Sequence, residues 1–464
     1  MEENTQRPQN PRRRKKSQWE IIKEAYLPTV ILAVTVVLII IFIAGSLSRK
    51  ADPSETTPPQ TSSTAPSVDP YAAEVQRLLT DAAILAADYD YQGAADLLAT
   101  FSGDISSYPA LSAKRDEYLA ADANMVSWSP AQIKTLSFHT LIADPSRAFP
   151  NAAYGAAYQK NFVTTEEFKG ILQQLYDNGY ILVSLDDFTS CTQVPGGGDD
   201  PECTAIELRL PIGKKPIMLV QTNANYYTYM VDGDGDGSAD KDGAGFASRM
   251  VINEQGQITC EMVDKDGNTV QGDFDLVPIL NDFIAGHPDF SYCGAKAILA
   301  PSGYDGIFGY RINAGVKAAK GEAFYNEQVA GATELVNALR ADGYELACYT
   351  YGNSAYGTIS AGEIQADLRL WAAEITPVFG STNILVFAQN SQIEEYSGSK
   401  FNVLQNAGFR YYLGFNTSSV VNSNYILQNR ILVTGSQMLA NPSSYGEFFN
   451  TEEVLDPLRG NNAN

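Results

Sequence analysis

The chain has 464 residues, 44% of them hydrophobic and 11% aromatic, and a net charge of −22. That length and apolar content support one sizeable core with accessory segments and exclude disorder throughout. The charge is unevenly placed: residues 1–50 hold nine basic and four acidic groups, so the remainder carries −27, a balance that repels nucleic acid.

Residues 1–26 form a basic tail that includes RPQNPRRRKK, and 27–47 read LPTVILAVTVVLIIIFIAGSL, uncharged throughout. A helix of about 20 apolar residues crosses roughly 30 Å of hydrocarbon, so a transmembrane helix is expected there. A cleaved signal peptide is the competing reading, but the apolar run is too long and the basic segment before it lies too deep in the chain. Arg7, Arg12, Arg13, Arg14, Lys15, Lys16 and Lys23 precede the span and only Arg49 and Lys50 follow it closely, which keeps the N-terminus in the cytoplasm and turns the rest outward.

Residues 48–70 are rich in Pro, Ser and Thr and read as a linker with too little apolar surface to pack. Across 71–127, Val75, Leu78, Leu79 and Ile84 fall at helical spacing, which predicts a short antiparallel helical pair. It serves as a stalk, packs on its neighbour or binds a partner. From 128 to 464 strands alternate with amphipathic helices. In TTEEFKGILQQLYDNGY, Thr164 and Glu167 make a capping box, Phe168, Ile171, Leu172 and Leu175 share one face, and Gly179 ends the helix before the strand ILVSL. The same order recurs around Gly343, again after a box at Ser360 and Glu363, and in FNVLQNAGFRYYLGF. Such units predict a parallel α/β fold, either an open doubly wound sheet or a closed barrel. No Gly-rich phosphate loop follows a strand, which disfavours nucleotides.

Of five cysteines in an exported chain, Cys191 and Cys203 flank the Gly/Pro-rich TQVPGGGDDPE and are the expected disulfide; Cys260, Cys293 and Cys348 read as buried thiols. In MVDGDGDGSADKDGAG, Asp232, Asp234, Asp236 and Asp240 match positions 1, 3, 5 and 9 of an oxygen-ligand calcium loop, with Gly243 where a bidentate Glu is expected. A solvated acidic turn explains the same composition. Asp186 and Asp187 follow a strand and could project from a barrel top as paired carboxylates for glycoside cleavage, against a capping role for the same DDF segment. The chain holds two histidines, His139 and His287, too few for a multi-imidazole metal centre.

The segments LSFHTLIADPSRAF, NFVTTEEFKGILQQLYDNGYILVSLDDF, KPIMLVQTNANYYTYM, DFSYCGAKAILAPSGYDGIFGYR and ELVNALRADGYELACYTYGN resemble, in this order, the polysaccharide deacetylases of the NodB-homology type, carbohydrate esterase family 4. The resemblance covers roughly residues 130–460 and implies a distorted (β/α) barrel with a glycan groove across its top. It also implies where chemistry would sit. The family's T-F-D-D-G strand end, with a base and a metal-binding aspartate, has Thr222 and Asn223 here. Its H-S-x-x-H segment looks like YTYGN, with Tyr349 and Asn353 in place of imidazoles. Its aromatic-Pro-aromatic-Gly segment has become Phe387, Ala388, Gln389 and Asn390.

Neither Thr222 nor Asn223 accepts a proton near neutral pH, so no catalytic residue is retained and no zinc is expected. Asn223, Asn225, Tyr226, Tyr349 and Asn353 are then expected to line a groove that binds glycan, since sugar rings stack on phenols and bond to amides. The expectation is a single-pass membrane protein that holds cell-wall glycan or an envelope protein outside the cell without turnover. An active N- or O-deacetylase with an unconventional site and an adaptor acting through the helical pair are the alternatives.

Overall fold

The computed structural model describes residues 69–193, 201–415 and 417–460. The basic tail, the apolar segment 27–47 and most of the linker lie outside these residues. Among the described residues, no helix is long and apolar enough to cross a membrane. The chain divides into two units, one holding residues up to 86 with 90–119, the other 87–89 with 120 onward.

The first unit is built on α1 (Ala72–Ala87), α2 (Tyr91–Ala99) and α3 (Pro109–Ala123). Leu78, Ala82, Ala94, Leu98 and Leu111 form its core. The expected helical pair is therefore a set of three. The third helix was illegible because it buries only Leu111 and Tyr118, too thin a stripe to show a period. The boundary expected at 127 also moves, to 119, because Met125–Trp128 is a strand paired with Leu208–Pro211 of the second unit.

In the second unit the parallel strands are β1 (Lys134–Phe138), β2 (Tyr180–Leu182), β3 (Lys215–Thr222), β4 (Ile298–Ala300), β5 (Glu345–Leu346), β6 (Ile384–Val386), β7 (Tyr411–Gly414), β8 (Tyr425–Asn429) and β9 (Ile431–Leu432). β3 is central: β1 lies along one edge, with Leu136 opposite Leu219, while β2 and then β4 share the other, with Ile181 opposite Pro216 and Ala300 opposite Thr222. From β4 the ladder passes to β5, across a bridge between Cys348 and Leu385 to β6, then to β7 and β8. β9 returns to β1, with Ile431 opposite Leu136. The two parallel sheets are thus joined by the Cys348–Leu385 bridge on one side and by Arg430, the residue between β8 and β9, on the other. β3 follows from its sequence, since KPIMLVQT is buried from Pro216 to Thr222 and a strand covered on both faces needs such an apolar run.

The helices between strands dock as their faces predict. In α4 (Thr165–Asp177) Phe168, Ile171, Leu172 and Leu175 are all buried, and Thr164 and Glu167 exchange capping hydrogen bonds of 3.2 and 2.8 Å. Ser360 and Glu363 do the same for α5 (Ala361–Leu370).

Candidate functional site

A parallel barrel delivers side chains from the C-terminal ends of its strands. At the end of β3, Thr222 Oγ1 stands 2.9 Å from His139 Nδ1, and Asn223 Nδ2 lies 3.5 Å from the same nitrogen. Backbone strain gathers on this face. Asn223 follows β3 at φ 55°, Thr350 and Asn353 follow β5 at 66° and 53°, and Gln389 and Asn390 follow β6 at 52°. Non-glycine residues occupy the left-handed region only where their surroundings impose it, at a cost on the order of 1–3 kcal/mol each. At Thr350 part of the compensation is visible: its hydroxyl accepts the Ser354 N–H at 2.7 Å.

The charge acting on His139 is a cation. Arg430, between β8 and β9, is 1% exposed; it donates to Ser137 Oγ at 2.9 Å and to the Phe387 carbonyl, and its guanidinium lies 3.6 Å from the Phe415 ring centroid. Burial lowers its pKa to about 10, and the Tyr349 phenol beside it pulls the other way. Burial, and then the charge of Arg430, push the His139 imidazole down to about 4. His139 is therefore neutral at physiological pH, and its charged neighbour is a cation.

Not every expected groove residue reaches the face. Tyr349 is there, 3% exposed and beside Arg430, and Asn353 is held through its carbonyl by Gln389 Nε2 at 2.7 Å. Asn225 and Tyr226 do not line a groove; both are completely buried. The Asn225 amide donates to the Ser302 and Gly306 carbonyls and accepts the Ser302 N–H at 2.9 Å, pinning the loop after β4. The Tyr226 hydroxyl donates to buried Asp275 at 2.6 Å. Residues so close to a strand end were expected at the surface, but the chain turns inward after Asn223 and satisfies their polar atoms internally.

Two features lie apart from the mouth. Cys191 and Cys203 face each other across an antiparallel ladder and are joined by a disulfide. In the acidic loop, carboxylate oxygens of Asp232, Asp234 and Asp240 lie within 4.8 Å of one another, and among the described residues no other group of His, Cys, Asp or Glu gathers in this way. Asp236 is not among them and instead accepts the Ser238 N–H at 2.7 Å. Although burial opposes it, backbone N–H groups of Gly233, Asp234, Asp242 and Gly243 hold the Asp240 carboxyl below its usual range. Asp187 caps Ser184 at 2.7 Å, as its position after a strand predicts.

No protein-family model and no curated protein matches the chain. Solved structures do. A de-N-acetylase from Aggregatibacter actinomycetemcomitans is similar at 10% identity and TM-score 0.36, covering 68% of this chain and 99% of its own. The Streptococcus pyogenes deacetylase PplD, solved with acetate, is similar at 11% identity and TM-score 0.33, covering 67% and 98%, and IcaB from Ammonifex degensii at 10% and 0.33, covering 68% and 97%. These are structural likenesses at low identity.

Sequence reasoning passed over Arg430, Asp275, Ser302, Tyr304 and Tyr154. Arg430 carried a signal, since YILQNRILV places a charge inside an apolar run, where an arginine is seldom buried without a task. PSGYDG, directly after the apolar end of β4, stood where strand-end residues gather. Asp275 and Tyr154 lie in ordinary turn sequence, and only the folded chain gives them partners.

Proposed function

We propose that this chain is a polysaccharide deacetylase-like protein, anchored by residues 27–47 with its barrel outside the cell, that binds cell-envelope glycan at the barrel mouth without hydrolysing it. The observation that carries the reading is the buried Arg430 guanidinium beside a neutral His139, at the strand ends where the family resemblance implies a metal. A zinc ion that makes hydroxide needs three protein ligands, commonly imidazoles and a carboxylate, in an environment that tolerates added positive charge. Here the donors are one imidazole, the Thr222 hydroxyl, the Asn223 and Asn353 amides and the Tyr349 phenol, and a fixed cation already occupies the neighbourhood. These groups do not fit zinc, so no step is derived through it. Amides and hydroxyls beside phenol rings do suit a neutral polyol, whose hydroxyl groups both donate and accept.

The test is acetate release by the full chain in detergent, incubated with acetylated chitooligosaccharides and with peptidoglycan, with zinc, with cobalt and with chelator. The expected outcome is no release under any condition, together with retention on insoluble wall glycan. Metal-dependent acetate would overturn the reading in favour of an active enzyme.

A further inference from the structure

Away from the mouth, at the opposite ends of the parallel strands, three segments bring a lysine, an amide and a carboxylate together. Asn281 stands on the helix Leu276–Gly286, Lys296 lies two residues before β4, and Asp342 and Tyr344 follow the helix Glu322–Ala341 just ahead of β5. Lys296 Nζ is 2.7 Å from Asp342 Oδ2 and donates to Asn281 Oδ1 at 2.6 Å. Asn281 Nδ2 donates to the same Asp342 oxygen at 2.8 Å. The Tyr344 hydroxyl faces Asn281 Oδ1 at 2.8 Å and the Val277 carbonyl at 3.1 Å, so the amide oxygen is the nearer acceptor. The lysine and aspartate side chains are 6% and 9% exposed, and the Tyr344 ring covers the lysine, its centroid 5.2 Å from Nζ.

An ion pair explains one of these contacts but not the set. A single carboxylate oxygen bridges the amine and the amide nitrogen, the position from which one group can carry a proton from an attacking nitrogen to a leaving one. Two donors converge on the amide oxygen, where negative charge develops if the amide carbon is attacked. The network also fixes which way the amide points, since reversing it would set its N–H groups against the ammonium. Burial pushes the Lys296 ammonium down, while the Asp342 charge pulls the other way. Proton transfer from Nζ to Asp342 removes both charges from a site with little access to water and leaves a neutral nucleophile against the amide.

We propose that Lys296 and Asn281 become joined by an amide between their side chains, an intramolecular cross-link that the chain makes itself with Asp342 as acid and base. Asp342 takes a proton from the Lys296 ammonium, and the freed Nζ electron pair bonds to Asn281 Cγ while the carbonyl pair moves onto Oδ1, held by the Tyr344 hydroxyl. Asp342 then gives its proton to Nδ2, the Oδ1 pair returns, and the Cγ–Nδ2 bond breaks to release ammonia. The second proton shed by Nζ returns to Asp342 and leaves with the ammonia as ammonium, so the balance closes with no oxidant or co-reactant. The link ties the helix to the start of β4 and closes residues 281 to 296 into a covalent ring that unfolding does not open. It stands apart from the mouth and holds whether or not glycan binds there.

Mass spectrometry of the full chain, purified in detergent and unfolded before digestion, tests it. Trypsin does not cut after an acylated lysine, so the expected peptide runs from Asp266 to Arg311, uncut at Lys296 and lighter than its sequence by one ammonia. Cleavage at Lys296 with unshifted mass would overturn the proposal. An ammonia loss confined to Asn281 with Lys296 still cleaved, the mark of a succinimide, would do the same. Lys296→Arg keeps a cation beside Asp342 but offers no neutral amine, and it is expected to restore the full mass and cleavage at that position. Asp342→Asn is expected to do so as well. An Asp342→Asn chain that folds by circular dichroism and still loses ammonia would overturn the part given to the carboxylate. The measurement on the unaltered chain depends on no variant folding.

Discussion

Asp275 has no exposed surface, yet its carboxyl accepts three hydrogen bonds, from the Leu141 N–H at 2.9 Å, Gln221 Nε2 at 2.6 Å and the Tyr226 hydroxyl at 2.6 Å. Burial raises its pKa to about 6, and the donors limit the rise. The folded state therefore holds this proton more tightly than the unfolded one, and the group's contribution to stability falls as pH rises from about 4 to about 6. His139 works in the opposite sense: lowered from 6.5 to about 4, it contributes fully above 6.5 and loses that contribution as pH falls toward 4. The two slopes oppose each other in one window. His139→Asn is expected to uncover the decline due to Asp275, so that stability measured by urea unfolding drops between pH 4 and 6; proton NMR should place the His139 midpoint near 4. A midpoint above 6 would show that neither desolvation nor the Arg430 charge acts on the ring. Asp275→Ala strands three donors and should cost at least about 2 kcal/mol in the same measurement.

At the scale of elements, the signals that survived folding are those with a local cause. The capping boxes depend on side chains three residues apart. Gly179 and Gly343 end their helices at φ +78° and +98°, and a Cβ there would meet the Gly213 and Gly294 carbonyl oxygens at 2.7 and 2.5 Å. The aspartate loop is local in the same way, and Arg147 clamps its far side by donating to the Lys241 and Gly243 carbonyls at 2.9 and 2.6 Å and to that of Val263 at 2.7 Å. We propose that this loop takes calcium weakly. Millimolar calcium is expected to raise the melting temperature of the chain, and Asp232→Asn with Asp240→Asn to abolish the rise. No shift at millimolar ion would reduce the loop to a solvated acidic turn.

At the largest scale, contacts join distant parts of the chain within the second unit. Arg459, 7% exposed, pairs with fully buried Glu167, its Nη2 donating to Glu167 Oε2 at 2.7 Å and to the Phe162 carbonyl at 2.5 Å. Glu167 is also the reciprocal cap of α4, so one carboxylate serves a local and a global bond. Arg459→Ala leaves that charge buried without a counter-ion and should cost roughly 3–5 kcal/mol in urea unfolding. Adding Glu167→Gln should recover much of it, because the amide oxygen still caps Thr164 and carries no charge. No recovery would mean that packing of the arginine stem, not the charge, matters.

Helix faces, caps and the parallel α/β class were legible in the sequence because each depends on residues within one or two turns of each other. The amide and hydroxyl character of the β3 end was legible too, since residue identity alone decides which groups can carry a proton. Only the tertiary structure decided that Asn225 and Tyr226 turn inward, that the buried Arg430 guanidinium acts on His139, and that Tyr227 stacks between Tyr304 and Tyr229. The reason is physical: burial and charge environment depend on which distant strands and loops pack around a residue, and the ordering of those neighbours is a property of the assembled parallel sheets.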